Sequence, residues 1–247
     1  KTGGLADVVG SLPKYFNKEE YDVRVIMPKY LCIKESLRSQ MKYVTHFYTD
    51  FYWRTQYVGV LEMEYEGVHF YFVDSEFYFG GPWPYGNMYE DIEKFCFFSK
   101  AVLSILPLIG FKPDIIHCHG WMTALAPLYI KKAYKDEPSF RDAKVVFSVF
   151  EDDFKESFNA DFVNRLVLKG VTKKDMAHLK APVDYATLCK LAIDYSDGVI
   201  QQSENVNEEV MEYARQAGKP ILEYQTPETF AEACNEFYDK VWETEQK

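Results

Sequence analysis

The chain is short of positive charge. Its 28 Lys and Arg face 38 Asp and Glu, a formal net charge of −10. That balance excludes a nucleic-acid surface or an anionic membrane as the expected partner. No apolar run approaches 18 residues, so no membrane span is predicted, and no secretory leader is read at its start. Cysteine is sparse: Cys32, Cys96, Cys118, Cys189 and Cys234 are odd in number and lack metal-ligand spacing. They predict free thiols in a reducing cytoplasm, with no metal. Repeats, low-complexity tracts and linkers are also missing, which predicts one domain over residues 1–247. A hydrophobic content of 47% is enough to bury a full core. The 19 Tyr and 19 Phe suit sugar stacking or an aromatic core, and core use is the ordinary role.

Helix and strand patterns alternate, which predicts α/β class: a Rossmann-like, mainly parallel sheet with flanking helices. Residues 5–16 read as a helix, 22–27 as a buried strand stopped by Pro28, and 43–74 as an antiparallel insertion with a turn at Glu66-Gly67. Helices are predicted over 90–106 and 121–134, and strands over 115–118, 144–149, 198–200 and 220–222. Residues 152–181 are charged and helix-prone. Thr226-Pro227 starts a last helix, 227–242, whose stripe Phe230, Cys234, Phe237 and Val241 should pack back on the same domain.

The opening string Lys1-Thr2-Gly3-Gly4-Leu5-Ala6-Asp7-Val8 carries chemistry. Paired glycines let backbone N–H groups approach an anion. The following helix adds partial positive charge, and Lys1 adds a full one. Lys1, Gly3 and Gly4 are therefore candidate ligands for a diphosphate. A second cluster is Pro113-Asp114-Ile115-Ile116-His117-Cys118-His119-Gly120-Trp121, where a strand ends. In open α/β sheets ligands bind outside such strand ends. His119 and Trp121 are the candidate substrate contacts, and His117 reads as a structural strand-end histidine. His117 and His119 share a strand face but lack a third metal ligand. Glu90 and Asp91 read as a solvated helix start, and Trp83 and Tyr85 as a packed surface loop.

Both strings resemble signatures of the bacterial glycogen and starch synthases. So do Asp22–Tyr30 and the acidic pair of Glu90–Phe95. The resemblance is clear over residues 1–150 and faint over 185–242. It implies one half of a GT-B fold, with a first strand lying upstream of Lys1. That omission predicts either an upstream segment or a gap in the sheet beside a mobile 1–5 stretch. The resemblance further implies ADP-glucose as donor substrate, no resident cofactor, and transfer of glucose to an α-1,4-glucan with retention at the anomeric carbon.

Three departures weaken that implication. The family has Asp where this chain has Gly120. Its Thr-x-His-Asn becomes Ser148-Val149-Phe150-Glu151, and Phe150 cannot donate to a sugar hydroxyl, a loss of about 1–3 kcal/mol where the partner is buried. The family's second domain, which holds the donor and stabilises the leaving diphosphate, has no counterpart in the roughly 100 residues after Glu151. The expectation is a glycosyltransferase domain whose transfer is impaired or absent in this chain alone, with no catalytic residue assigned. A partner chain supplying the donor half is one way to complete it. The alternative is a non-catalytic relative that binds a glucan or a nucleotide in glycogen metabolism.

Overall fold

Gly3 stands at the N-cap of helix α1 (Gly4–Tyr15) and its carbonyl accepts from the amides of Ala6 and Asp7, at 3.0 and 3.3 Å. The computed structural model describes residues 3–244, so the Lys1 assignment lies outside the described residues. The chain divides into two compact units, Lys1–Leu108 and Ile109–Lys247. Each carries its own four-stranded sheet.

In the first unit the apolar run after Asp22 forms β1 (Arg24–Pro28). An antiparallel ribbon follows, β2 (Lys42–Phe51) and β3 (Arg54–Tyr65), and then β4 (Val68–Asp74). The order is β1-β4-β3-β2. β4 runs parallel to β1 and antiparallel to β3, which joins the insertion to the parallel part. The two-residue turn between β3 and β4 has φ of 48° at Glu66 and 77° at Gly67. Two consecutive positive values match the hairpin turn whose twist suits paired strands. Helix α2 (Met88–Leu108) buries Phe97, Leu103 and Ile105. Asp91 in its first turn is not solvated as expected. Its carboxylate is buried, held by Lys94 Nζ at 2.9 Å and the Gly86 amide at 2.8 Å, while Glu90 is exposed. Trp83 stands out in solvent, 75% exposed, rather than packing its loop.

In the second unit all strand pairs are parallel. β5 (Ile115–His119) pairs with β6 (Lys144–Val149), β6 with β7 (Gly198–Gln201), and β7 with β8 (Ile221–Leu222). Between them lie α3 (Ala160–Arg165) and α4 (Tyr185–Asp194) before β7, and α5 (Glu208–Gln216) before β8. Every residue of β6 is buried, as expected of a central parallel strand covered on both faces. Such burial stabilises by about 1.5–3 kcal/mol per large apolar side chain. The buried end of β6 is pinned by Asp197, whose carboxylate accepts from the Val145 amide at 2.7 Å and from Lys131 Nζ at 2.9 Å.

The terminal helix α6 (Pro227–Glu243) lays Phe230, Cys234, Phe237 and Val241 into this unit. Gly198 makes room for it: a Cβ there would stand 2.7 Å from Val241 and 2.9 Å from Phe237. Thr226 occupies the N-cap position, yet its side chain makes no capping bond; Pro227 at the first helical position sets the start.

One helix expected from sequence does not form, and the helix-prone stretch 152–181 is mostly irregular. Residues 121–134 break into a 3-10 turn (Trp121–Thr123), one short α turn and a π turn (Tyr129–Ala133). Pro127 offers no N–H at the point where one helix would have to continue. Of 152–181, only α3 is helical. Thr172 and Asp175 bond each other's side chains and backbone as at a helix start, but only turns follow over 173–178.

Candidate active site

Parallel strands β5 and β6 deliver their side chains to one edge. His117 and His119, two residues apart, share a face, and their rings stack at 3.8 Å. His117 is fixed at both nitrogens: Nδ1 lies 2.5 Å from the Tyr238 hydroxyl on α6, and Nε2 2.5 Å from Ser148 Oγ on β6. Burial, with His119 alongside, pushes its pKa well below the usual histidine value. It is a neutral structural histidine. His119 has no such anchor; its Nδ1 is buried without a hydrogen-bond partner. Burial lowers it to about 4, so it too is neutral at pH 7. A neutral imidazole with a free nitrogen can give or take one hydrogen bond from a hydroxyl group.

After His119 the chain turns at Gly120, with φ 75° and ψ 172°. Side-chain-bearing residues are essentially absent from that region of backbone space. The Gly120 amide donates to the Ser148 carbonyl at 3.0 Å, so the turn is tied to the neighbouring strand. Trp121 follows, buried, its ring 5.2 Å from that of Phe154. On β6 the exit runs through Phe150, buried with its ring 6.2 Å from that of His119, to exposed Glu151, whose amide donates to Ser203 Oγ.

Sequence reasoning passed over the carboxyl group at this edge. Asp152 is largely buried. Its Oδ1 accepts from the Tyr185 hydroxyl at 3.0 Å, while its Oδ2 is covered and has no partner. Burial raises its pKa to about 7; the Tyr185 bond opposes the shift, neighbouring Asp153 adds to it, and the backbone amides of Trp121 and of Asp152 itself favour the charged form. The signal available in the sequence was the acidic run Glu151-Asp152-Asp153 directly after a buried strand.

His119 and Trp121 therefore come together at the strand ends of the second unit. Gly3 and Gly4 open α1 in the first unit, and a Cβ on either would meet nothing within 4 Å. Among the described residues no group of three or more His, Cys, Asp or Glu side chains gathers as a metal site, and no helix is long and apolar enough to cross a membrane. All five cysteines are free thiols, four of them buried.

A Rossmann-like α/β edge of this kind, with its antiparallel insertion, is half of the GT-B architecture. The catalytic domain of starch synthase IV from Arabidopsis thaliana, bound to ADP and acarbose, has the same fold, with a TM-score of 0.75 over 91% of this chain and 48% of that one, at 22% identity. The family model described as the starch synthase catalytic domain matches residues 1–222. A glycogen synthase of Lachnospira eligens is 48% identical over 211 residues, covering 85% of this chain and 44% of that protein. One from Lachnoclostridium phytofermentans is 54% identical over 155 residues, 63% of this chain and 32% of that protein. The chain belongs to the starch synthase catalytic-domain family. It spans less than half the length of the curated relatives it matches.

Proposed function

We propose that the chain binds the substrates of glycogen synthesis, an α-1,4-glucan through the His119–Trp121 edge and, separately, the diphosphate of ADP-glucose through the Gly3-Gly4 turn, and that residues 1–247 alone do not transfer glucose. Transfer breaks the bond from glucose C1 to the diphosphate oxygen and forms one from C1 to an acceptor hydroxyl oxygen. ADP leaves with the electron pair, and the hydroxyl proton is released. Positive charge near the departing diphosphate is the largest requirement of that step, and neutral His117 and His119 supply none.

The observation that carries the reading is the backbone at Gly120. The resemblance places a carboxylate at this position, and the conformation here is one that glycine alone adopts freely. Lys1 would complete the diphosphate site, residues 1–247 would form the acceptor side in the cytoplasm, and the donor half would come from outside these residues. The non-catalytic reading, a glucan- or nucleotide-binding relative, draws on Phe150, which replaces a donor by a buried ring.

Incorporation of radiolabelled glucose from ADP-glucose into glycogen tests this directly. No turnover is expected from the chain alone, together with measurable binding of maltohexaose or ADP. Turnover above background that disappears in Lys1→Ala would overturn it.

A further inference from the structure

We propose that Asp152 is a ligand-binding carboxyl group at the β5–β6 edge, with Oδ1 moored to Tyr185 and Oδ2 kept for a hydroxyl of a polyhydroxylated ligand. On the reading above, on which this rests, that ligand is a glucose unit of an α-glucan.

The argument starts from satisfaction. A covered oxygen with no donor is costly and uncommon in folded proteins. Oδ2 of Asp152 is one, and it sits where open α/β sheets take their ligands. Its partner oxygen is held by α4. The Tyr185 hydroxyl in the first turn of α4 reaches both Asp152 Oδ1, at 3.0 Å, and the Phe150 carbonyl, at 3.2 Å. A hydroxyl has one proton to give. When the carboxyl is protonated on Oδ1, Asp152 donates to Tyr185, and Tyr185 donates to the Phe150 carbonyl. When the carboxyl is ionised, the tyrosine proton turns to Oδ1 and the carbonyl loses it. The two protonation states thus differ at a defined set of atoms next to Phe150, whose ring borders His119.

A ligand hydroxyl donating to Oδ2 favours the ionised state, because a bond to a carboxylate is roughly twice as strong as one to a neutral acceptor. Binding is therefore linked to proton release. The titratable groups around Asp152 are Asp153 on the same segment, Tyr185 and Cys189 on α4, and Asp184 at the N-cap of α4. Tyr185 and Cys189 are both pushed up by burial. They stay neutral at physiological pH and leave Asp152 as the group that titrates near 7. Residues 151–157 carry no helix, and their half-buried Phe154 ring touches Trp121 and Tyr185; on this proposal that ring moves aside to admit a hydroxyl to the covered Oδ2.

Calorimetric titration of the whole chain with maltohexaose, from pH 5.5 to 8.5, tests the proposal. The wild type is expected to gain affinity from pH 6 to pH 8, by up to about tenfold when only the ionised form binds. Asp152→Asn, which keeps the shape, should bind with an affinity flat in pH. A measurement that needs no variant is the carboxyl carbon resonance of Asp152, whose titration midpoint should fall when maltohexaose is added. Affinity flat in pH in the wild type, a pH dependence surviving in Asp152→Asn, or a midpoint unmoved by the sugar would each overturn the assignment and leave the wider reading intact. Failure of both maltohexaose and ADP to bind at any pH would remove the wider reading, and this one with it.

Discussion

β2 and β6 are strands of one protein built to opposite rules. β6 (Lys-Val-Val-Phe-Ser-Val) is buried at every position between parallel neighbours. β2 alternates, and it leaves Tyr43 and Tyr48 60% and 66% exposed at the margin of an antiparallel ribbon. A central parallel strand must be apolar throughout because helices cover both of its faces, whereas an antiparallel margin needs only one apolar face. The aromatic wealth of the chain is thus spent in two ways. In the second unit rings fill volume; on the ribbon, Tyr48, Tyr57 and His46 touch one another at the surface, at centroid distances of 5.7–6.2 Å.

The sharpest way to break the contrast is to truncate one ring from each region. Phe147 on β6 is fully buried, and Phe147→Ala should cost about 3–5 kcal/mol through lost transfer energy and the cavity left behind. Tyr48→Ala should stay within about 0.5 kcal/mol. Urea unfolding of the two variants, monitored by circular dichroism, checks both; equal losses would erase the distinction.

A smaller effect concerns how tightly α6 closes on the parallel sheet. Gly198→Ala adds a methyl group where Val241 and Phe237 already stand under 3 Å away, and about 1–3 kcal/mol should be lost to overpacking. Limited proteolysis should then release the 227–243 helix first. Unchanged stability with intact protection of that helix would contradict the packing.

The second unit should also respond to pH through Asp152. Its carboxyl, raised by burial to about 7, holds a proton in the folded state that the unfolded chain gives up near pH 4. Stability from this group is therefore fullest below about pH 4, declines as pH rises to about 7, and is level above. A decline of a few kcal/mol is expected, about 1.4 kcal/mol for each unit separating the folded and unfolded pKa. Asp152→Asn should flatten it, which thermal unfolding at pH 5 and pH 8 would show. The smallest effect is at the start of α4, where Asp184 and Thr187 form a reciprocal capping box. Asp184→Ala should cost about 1 kcal/mol, read as a lower midpoint with an unchanged denaturant slope.

Much of the scaffold was legible before any coordinates. Apolar runs at 115–118 and 144–149, turn residues at Glu66-Gly67, and the stripe Phe230–Val241 each depend on neighbours in sequence, and each appears at its expected place. Residues 121–134 misled because apolar periodicity persists across Pro127, while the backbone cannot. The edge itself was half legible. His119 and Trp121 declare themselves by standing at a strand end. Asp152 does not, because its environment is made by Tyr185, 33 positions away, and charge in a sequence reads as exposure until something distant covers it. The same holds for His117, whose partner Tyr238 lies 121 residues on.

The turn at Gly120 also bears on descent. With φ 75° and ψ 172°, the backbone there has settled where an aspartate would be strained by about 1–3 kcal/mol. Reverting one codon would therefore give back a carboxyl group and at the same time distort the loop meant to aim it. Before any such reversal could help, the peptide would have to rotate and the Gly120–Ser148 bond would have to shift. Gly120 therefore couples loop conformation to chemistry: a single Gly120→Asp change would add a carboxyl group without the backbone that could aim it.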